Sequence, residues 1–313
     1  MTKPDLLQIC PLPPDVMGQL QPAFTVHTLF DAADKNGLIA GLAGGLKAAV
    51  TNGNAGFSPA LMDQLPKLKL ISSLGVGYDN IDVHAAATRG IAVTNTPDVL
   101  TDDVADVALI LLLGSVRRMP QGDSYVRRGE WLKRPMALTQ RVGGRKAGIV
   151  GLGRIGMAIA KRAAACEVNI AWHGPRAKPE VPYPYYADLA ALARDSDFLI
   201  IACPGGPATR HLVDAAVLEA LGPKGWLINI ARGSVVDEAA LIAALRDQKI
   251  AGAGLDVFDD EPRVPEALLA FDNVVLQPHV GSATVETRRA MSQLVVDNVH
   301  AFFAGKPLLT PVL

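Results

Sequence analysis

The sequence predicts an α/β protein with two doubly wound parallel sheets, and two observations lead to this fold class. Short apolar and β-branched runs alternate with Ala- and Leu-rich stretches over most of the 313 residues. This alternation is typical of parallel strands that are joined by crossover helices. The length corresponds to two domains of about 150 residues each. We therefore expect two domains, each with its own hydrophobic core.

The first series of elements occupies the first third of the chain. Its predicted helices include 59–65 and 82–89. Its predicted strands lie at 6–9, 24–29, 48–51, 68–74 and 91–95. Helical stretches and turn residues separate these strands, as a parallel sheet requires.

A second series begins near Lys146 and predicts the sheet of the second domain. A helix is predicted over 237–248, because its apolar residues recur at helical spacing, and Asp237 is a candidate cap for it. The predicted strands lie at 147–150, 168–172, 198–203, 226–230, 253–257 and 273–278.

Long helices are predicted on either side of the second series, over 98–116 and 283–303. The chain after residue 283 is too short to form a domain of its own, so we expect it to complete the first one. The predicted division is therefore a discontinuous domain, 1–97 with 284–313, and an inserted domain, 98–283.

Composition excludes several functional classes. Thirty Lys and Arg residues against thirty-one Asp and Glu residues provide no broad positive field for nucleic acid and no polybasic membrane patch. Cys10, Cys166 and Cys203 form no CxxC pair, so neither a disulfide framework nor a metal site is expected. The longest apolar run, 107–116, is shorter than the roughly 18 residues of a membrane span. We expect no secretory signal and a cytoplasmic protein.

The strongest local motif is GLGRIG at 151–156, which follows a predicted strand and opens a predicted helix. Gly151 permits the tight turn, Gly153 lets a pyrophosphate approach the backbone, and Gly156 allows the helix to pack closely on the sheet. The N-terminus of a helix also favours negative charge. The motif in this context predicts a Rossmann dinucleotide-binding domain.

The end of the next predicted strand discriminates between the two nicotinamide dinucleotides. A carboxylate there would bind the ribose 2′-hydroxyl of NAD, but the chain has His173, followed by Arg176 and Lys178. Cations are what a 2′-phosphate requires. The sequence therefore predicts NADP(H) as the preferred cofactor, with NAD(H) possible. The plain alternative is that both cations are solvated loop charges.

Three segments at successive predicted strand ends carry polar residues that suit proton transfer: Arg232, Glu261 and His279. Ligands of open α/β sheets bind at the carboxyl ends of the strands, so we expect these residues to face one crevice. Together they suit proton transfer to a substrate that carries a carboxylate. Each residue alone could instead be a loop cap, a turn acid or a helix-end ion pair.

The chain resembles the D-isomer-specific 2-hydroxyacid dehydrogenases in four ordered segments, GLGRIG, NIARG, GLDVFDDEP and QPHVGSAT. The segments at 73–82 and 96–106 also match that family. The HGPR stretch and the length are most similar to its NADPH-dependent glyoxylate/hydroxypyruvate reductases. The resemblance implies a Rossmann domain inserted into a flavodoxin-like substrate domain, reduction of a small 2-oxo acid to the D-2-hydroxy acid, and a homodimer.

The resemblance also implies individual roles. His279 would protonate the substrate carbonyl oxygen, Glu261 would hold the histidine tautomer, and Arg232 would bind the substrate carboxylate. Backbone N–H groups of Val76 and Gly77 would bind the same carboxylate. Asp256 would orient the nicotinamide carboxamide. The other cofactor-binding residues that it implies are Arg154, Ile155, Cys203, Pro204, Thr209, Ile230, Ala231 and Gly281.

Two competing functions stay open at this point, a dinucleotide-sensing protein of corepressor type without turnover and a dehydrogenase of a different 2-hydroxy acid. The set of Arg232, Glu261 and His279 favours an enzyme, because a sensor has no need of a proton donor. Candidate dimer surfaces are the apolar helix around Leu111 and the segment around Trp131. Trp131 could serve a partner's active site or anchor the dimer.

Overall fold

The computed structural model describes residues 3–312 and divides the chain into two compact units. Unit 1 comprises Met1–Leu100 and Thr284–Leu313, and unit 2 comprises Thr101–Ala283. Met1, Thr2 and Leu313, which the predicted substrate domain includes, lie outside the described residues. Each unit contains one parallel sheet covered by helices, so the predicted fold class is confirmed.

Strands and helices alternate along most of the described chain. The strands are β1 (Asp5–Gln8), β2 (Thr25–Thr28), β3 (Ala48–Asn52), β4 (Leu70–Leu74), β5 (Ala92–Thr94), β6 (Lys146–Val150), β7 (Asn169–His173), β8 (Tyr185–Tyr186), β9 (Phe198–Ile201), β10 (Trp226–Asn229), β11 (Gly252–Leu255) and β12 (Val274–Leu276). The helices are α1 (Pro14–Leu20), α2 (Lys35–Leu42), α3 (Pro59–Asp63), α4 (Val83–Thr88), α5 (Thr101–Val116), α6 (Met119–Arg127), α7 (Arg154–Ala165), α8 (Leu189–Arg194), α9 (Ala215–Leu221), α10 (Glu238–Arg246), α11 (Glu266–Leu269) and α12 (Val285–Phe303). Short 3-10 turns lie at Glu130–Leu132, Pro207–Thr209 and Gly233–Val235. Within residues 3–312, no helix combines the length and apolar character that crossing a bilayer demands.

Unit 1 contains a five-stranded parallel sheet in the order β2-β1-β3-β4-β5, which is the order of flavodoxin-like sheets. Strands β3 and β4 are almost entirely buried, because helices cover the sheet. Side-chain caps begin four helices of this unit: Asp34 for α2, Ser58 for α3, Asp82 for α4 and Thr284 for α12. Apolar side chains of the helices, such as Ile39 and Met62, pack with those of the strands into one core.

Unit 2 contains a seven-stranded parallel sheet in the order β12-β11-β10-β9-β6-β7-β8. This is the Rossmann order of six strands, extended by β12 at one edge. The central strands β9, β10 and β11 are buried along their whole length, which explains their continuous apolar sequences. The winding of the chain reverses between β6 and β9, and ligands of such sheets bind at this reversal.

Six strands of unit 2 end at the same level, because their registers align. The paired terminal residues, in order across the sheet, are Leu276, Leu255, Asn229, Ile201, Val150 and His173. The loops that follow these residues therefore emerge side by side. We call this row of loops the carboxyl edge of unit 2.

The predicted elements agree closely with the observed ones. Every predicted strand overlaps an observed strand, and Asp237 caps α10 by accepting from the N–H of Ala240 at 3.0 Å. The two-residue strand β8 was not predicted, because so short a strand produces no periodic pattern.

Two predictions on the long helix α5 are wrong. The helix begins at Thr101 and not at Asp98, whose φ of 68° lies in the left-handed region and cannot continue a right-handed helix. Leu111 was a candidate dimer residue, but it is fully buried against β11, where Gly254 leaves room for it. Its side chain is not available to a partner.

The glycine loop holds α7 close to β6. A Cβ at Gly156 would overlap the carbonyl oxygen of Gly151. Gly151 itself has a φ of 93°, and a Cβ there would lie 2.6 Å from the Cα of Cys203. A Cβ at Gly153, in contrast, would meet no other atom within 4 Å. Gly151 and Gly156 therefore serve the packing of the chain, whereas Gly153 borders open space at the start of α7.

We predict that Gly156→Ala lowers the free energy of unfolding by about 2–3 kcal/mol, because the new methyl group must displace backbone. Gly153→Ala is the matched control and should change this free energy by less than about 1 kcal/mol. Urea denaturation followed by circular dichroism measures both values. Similar losses in the two variants would contradict the packing role of Gly156.

Candidate active site

The predicted catalytic and cofactor-binding residues of unit 2 all lie on its carboxyl edge. In order from β12, the loops carry His279 and Gly281, then Asp256 and Glu261, then Ile230, Ala231 and Arg232, then Cys203, Pro204 and Thr209, then Gly151, Gly153, Arg154, Ile155 and Gly156, and finally His173, Arg176 and Lys178. Residues that are far apart in sequence are thus brought to one side of one sheet.

His279 and Glu261 form a close pair at this edge. The Nδ1 atom of His279 lies 2.7 Å from Oε2 of Glu261, and both side chains are partly buried. The second carboxylate oxygen, Oε1, accepts from the N–H of Phe258 at 3.2 Å. An ionised carboxylate can only accept, so Nδ1 carries a proton in this pair. Nε2 is therefore the ring nitrogen that can exchange a proton with a substrate.

The environment of Glu261 keeps its carboxyl group ionised. Burial disfavours the charged form, but the hydrogen bond and charge of His279, the N–H of Phe258 and the charge of Arg232 outweigh burial. The pKa of Glu261 consequently lies below its usual range. The carboxylate is available to hold the imidazole at neutral pH.

Asp256 fixes the backbone that carries His279. Asp256 is 1% exposed, and its carboxylate accepts from the N–H groups of Val280 and Gly281, each at 2.8 Å. Its carbonyl oxygen accepts from the N–H of His279 at 2.9 Å. These bonds hold His279 at a φ of 53°, which is unusual for a residue with a side chain. Burial raises the pKa of Asp256 against the effect of both N–H groups.

Arg232 lies in the turn after β10, and Asn229 organises that turn. The buried Asn229 side chain accepts from the N–H of Ala231 at 3.0 Å and donates to the carbonyl oxygen of Arg232 at 2.9 Å. Nη1 of Arg232 donates to the carbonyl oxygen of Ala231 at 2.7 Å. Its positively charged guanidinium is one of the groups that lower the pKa of Glu261.

Gly233 brings the turn of Arg232 against the loop of Glu261. A Cβ at Gly233 would overlap the backbone of Phe258, so only glycine permits this approach. No role was predicted from the sequence for Gly233 or Asn229. The available signal was a polar Asn at the end of an otherwise apolar strand, with a glycine directly after the candidate Arg232.

The glycine loop and the first turn of α7 fit the pyrophosphate of a dinucleotide. Gly153 precedes the first helical residue, Arg154, and has no side chain to fill the space at this helix end. The N–H groups of a first helical turn lack intrahelical partners and attract anions. Arg154 and Ile155, which the resemblance predicts to border the pyrophosphate, lie in this turn.

Cys203, in the loop after β9, contacts this glycine loop from the neighbouring strand. Burial raises the pKa of its thiol to about 11, so the group stays neutral and unreactive. Thr209 closes the same loop, because its hydroxyl donates to the carbonyl oxygen of Pro204 at 2.7 Å. Among residues 3–312, no group of three or more His, Cys, Asp and Glu residues is arranged to hold a metal ion.

The loop after β7 distinguishes its two cations. Arg176 is exposed, whereas the ammonium of Lys178 donates to the carbonyl oxygen of Leu152 at 2.7 Å. The ring of His173 contacts the backbone of β8, with Nδ1 at 3.0 Å from the carbonyl oxygen of Tyr186. The structure thus gives Lys178 a partner within the protein that the sequence did not reveal.

Val76 and Gly77 belong to unit 1, in the loop after β4. The carbonyl oxygen of Val76 accepts from the amide of Asn95 at 2.8 Å. The N–H of Gly75 donates to the hydroxyl of Thr96 at 3.0 Å. Asn95 and Thr96, for which no role was predicted from the sequence, hold this loop in place.

Comparison with known proteins identifies the family. A model of the "D-isomer specific 2-hydroxyacid dehydrogenase, NAD binding domain" matches residues 109–281. The chain is 47% identical over 308 residues to the hydroxyphenylpyruvate reductase of Plectranthus scutellarioides, with 98% of each chain covered. It is 48% identical over 308 residues to the glyoxylate/hydroxypyruvate reductase A of Arabidopsis thaliana, again with 98% of each chain covered.

Solved structures lead to the same family. The NADPH-dependent glyoxylate/hydroxypyruvate reductase of Sinorhizobium meliloti, crystallised with NADP and malonate, is 46% identical to this chain at a TM-score of 0.91. The match covers 99% of this chain and 97% of that one. The family that the sequence predicted is confirmed. The chain belongs to the D-isomer-specific 2-hydroxyacid dehydrogenases, and it is an oxidoreductase with a domain that binds a nicotinamide dinucleotide.

Proposed function

We propose that the protein reduces a small 2-oxo acid of the glyoxylate and hydroxypyruvate type to the D-2-hydroxy acid, with NADPH as the preferred cofactor. The observation that carries this proposal is the contact of 2.7 Å between Nδ1 of His279 and Oε2 of Glu261. It provides an oriented proton donor on the same edge as the glycine loop. The substrate class comes from the relatives, which are named as reductases of such acids.

We assign the two units different roles. Unit 2, predicted as 98–283, is the dinucleotide-binding domain, because it contains the glycine loop and the residues that the family model matches. Unit 1, predicted as 1–97 with 284–313, is the substrate domain. Its proposed ligands for the substrate carboxylate are the N–H groups of Val76 and Gly77, in the loop that Asn95 holds.

His279 performs the proton transfer in this proposal. The bound cofactor supplies a hydride to the carbonyl carbon of the substrate. Nε2 of His279 donates its proton to the carbonyl oxygen, while Nδ1 keeps its hydrogen bond to Glu261. The ring therefore has the same orientation before and after the transfer. Glu261 stays ionised throughout, because its pKa lies below the usual range.

Arg232 binds the carboxylate of the 2-oxo acid. A guanidinium offers two parallel donors that match a carboxylate, and it stays charged at any physiological pH. Asn229 and Gly233 fix the turn on which this group is carried, close to the loop of Glu261. The substrate is thereby oriented with its carbonyl oxygen toward the proton donor.

Cofactor preference rests on the loop after β7. His173 ends the strand where an NAD-specific site has an acid, and the exposed guanidinium of Arg176 follows. NAD(H) stays a possible second cofactor. Proposed adenosine contacts are Cys203, Pro204 and Thr209, and proposed contacts near the nicotinamide are Ile230, Ala231, Asp256 and Gly281.

The alternative of a dinucleotide sensor without turnover is not favoured, since the relatives are named reductases. The preferred 2-oxo acid can be identified by comparing the activities of the protein with different acids. One relative is named for hydroxyphenylpyruvate and another for glyoxylate and hydroxypyruvate, at nearly equal identity. Assays should therefore include both small and aromatic 2-oxo acids.

We predict that the protein oxidises NADPH with glyoxylate or hydroxypyruvate, and that His279→Ala lowers kcat by about 10³-fold because the proton donor is lost. NADPH affinity should stay within about two-fold, because other residues bind the cofactor. Loss of NADPH absorbance measures kcat, and calorimetry measures affinity. An equal loss of activity and affinity would make His279 a structural residue. No turnover with any acid would favour the sensor.

The role of Glu261 is tested in the same series. Glu261→Gln should lower kcat by about 10²-fold. The double variant, which combines Glu261→Gln with His279→Ala, should have the same kcat as His279→Ala alone, because the two residues act as one unit. Asp259→Asn removes a charge from an exposed residue of the same loop and is the matched control. Additive losses would show that Glu261 acts independently of His279.

We predict that Arg176→Ala raises the KM for NADPH by about ten-fold and the KM for NADH by less than about two-fold, because only NADPH carries the 2′-phosphate. Initial rates with each cofactor measure both values. Arg194→Ala removes an exposed arginine at the end of α8 and is the control for net charge. An unchanged ratio of the two KM values would contradict the NADPH preference.

We also propose a homodimer that forms through residues 119–138 of unit 2. This segment concentrates exposed apolar side chains, and such concentrations mark protein interfaces. Its exposed apolar residues are Met119, Val126, Trp131, Leu132 and Leu138. Leu132 is 93% exposed and Leu138 is 100% exposed. A partner subunit that covers these leucines would remove their apolar surface from water.

We predict a dimer by light scattering, and a monomer when Leu132 and Leu138 are both replaced by Asp, because charges do not tolerate burial in an apolar interface. Leu309→Asp changes an exposed leucine of unit 1 and is the control. Trp131→Ala separates the two predicted roles of this residue when light scattering and the NADPH oxidation assay are both applied. Loss of a dimer anchor would change the oligomeric state, whereas loss of an active-site residue would change only the turnover. A monomeric native protein would contradict this interface.

A further inference from the structure

Lys178 links the loop after β7 to the glycine loop. Its ammonium donates to the carbonyl oxygen of Leu152 at 2.7 Å. Leu152 stands between Gly151 and Gly153, so this bond reaches the centre of the glycine loop. The ammonium also lies 5.8 Å from the ring centroid of Trp172, within the range of a cation–π contact.

Several contacts fix the aromatic residues beside Lys178. Trp172 is 1% exposed, and its indole N–H donates to the carbonyl oxygen of Tyr183 at 3.2 Å. Tyr185 packs on the Trp172 ring and donates its hydroxyl to the carbonyl oxygen of Gly174 at 3.0 Å. These contacts fasten the residues on both sides of Lys178 to β7. The ammonium is thus held in place before any ligand binds.

Holding the carbonyl of Leu152 also sets the direction of the next N–H group. The peptide unit is planar and trans, so the carbonyl oxygen of Leu152 and the N–H of Gly153 point in opposite directions. Gly153 is the residue at which an added Cβ would meet only open space. Its N–H group lies directly before the first turn of α7, and the N-terminal turn of a helix binds anions.

We propose that Lys178 is a positioning residue that aims the Gly153 N–H at the cofactor pyrophosphate, and that Arg176 alone recognises the 2′-phosphate. This inference rests on the proposed function and refines it. The pyrophosphate is common to NADH and NADPH, so Lys178 contributes to the binding of both. Arg176 is exposed and contributes to the binding of NADPH only.

Two fragments separate these contributions in direct binding measurements. ADP-ribose carries the pyrophosphate without a 2′-phosphate, and adenosine 2′-monophosphate carries the 2′-phosphate without a pyrophosphate. Calorimetry on the cofactor-free, full-length protein should find ADP-ribose bound about ten-fold more weakly by Lys178→Met, as expected for a lost charged hydrogen bond. The affinity of this variant for adenosine 2′-monophosphate should be unchanged. Arg176→Ala should give the opposite pattern.

Two further variants complete the experiment. Lys161→Met removes an exposed lysine of α7 and should affect neither fragment. Lys178→Arg retains a donor for the carbonyl oxygen of Leu152 and should recover part of the ADP-ribose affinity. Weaker binding of adenosine 2′-monophosphate by Lys178→Met, equal losses for both fragments, or no change for either would each overturn the proposal.

The outcomes also separate this inference from the proposed function. If Arg176→Ala binds adenosine 2′-monophosphate as the native protein does, the assignment of the 2′-phosphate to Arg176 fails together with the NADPH preference. The binding of ADP-ribose by Lys178→Met then decides the positioning role of Lys178 separately. If the native protein binds neither fragment, both proposals fail. Urea denaturation of each variant checks that affinity changes do not reflect a loss of folding.

Discussion

The buried carboxylate of Asp256 is the constraint on which the geometry of the active site depends. Burying a charged group is costly unless hydrogen bonds replace its lost hydration. The N–H groups of Val280 and Gly281 provide that replacement, and in doing so they fold the chain after β12 back onto the end of β11. His279 is thereby held in a left-handed conformation, 2.7 Å from Glu261. A strained residue persists because the surrounding bonds overdetermine it.

Two glycines bring further loops of the carboxyl edge together. Gly233 lets the turn of Arg232 contact the backbone of Phe258, and Gly151 lets β6 approach Cys203. In both places a methyl group would have to displace backbone. The charges of His279 and Arg232 both lower the pKa of Glu261 as a result. Backbone packing thus determines the electrostatics of the site.

Much of this arrangement could be predicted from the sequence, because periodicity reports burial and strand ends converge in parallel sheets. The strands, the cap at Asp237 and the loops that carry His279 and Glu261 are examples. The partners of Leu111 and Lys178 within the protein could not be predicted. An apolar run does not reveal that Leu111 faces β11, and a lysine in a loop does not reveal its bond to the carbonyl of Leu152. Such contacts depend on tertiary distances.

The dimensions of the sheet add an argument for a dinucleotide. Five strand spacings separate β12, which precedes His279, from β7, which precedes Arg176. At about 4.8 Å per spacing, the two ends of this row are about 24 Å apart. A 2-oxo acid or a mononucleotide is too short to reach both ends, whereas an extended dinucleotide can carry a reactive ring at one end and a phosphate-bearing ribose toward the other. The proposed roles of His279 and Arg176 are therefore compatible in one ligand, because a cofactor of that length can connect proton transfer at β12 with recognition at β7.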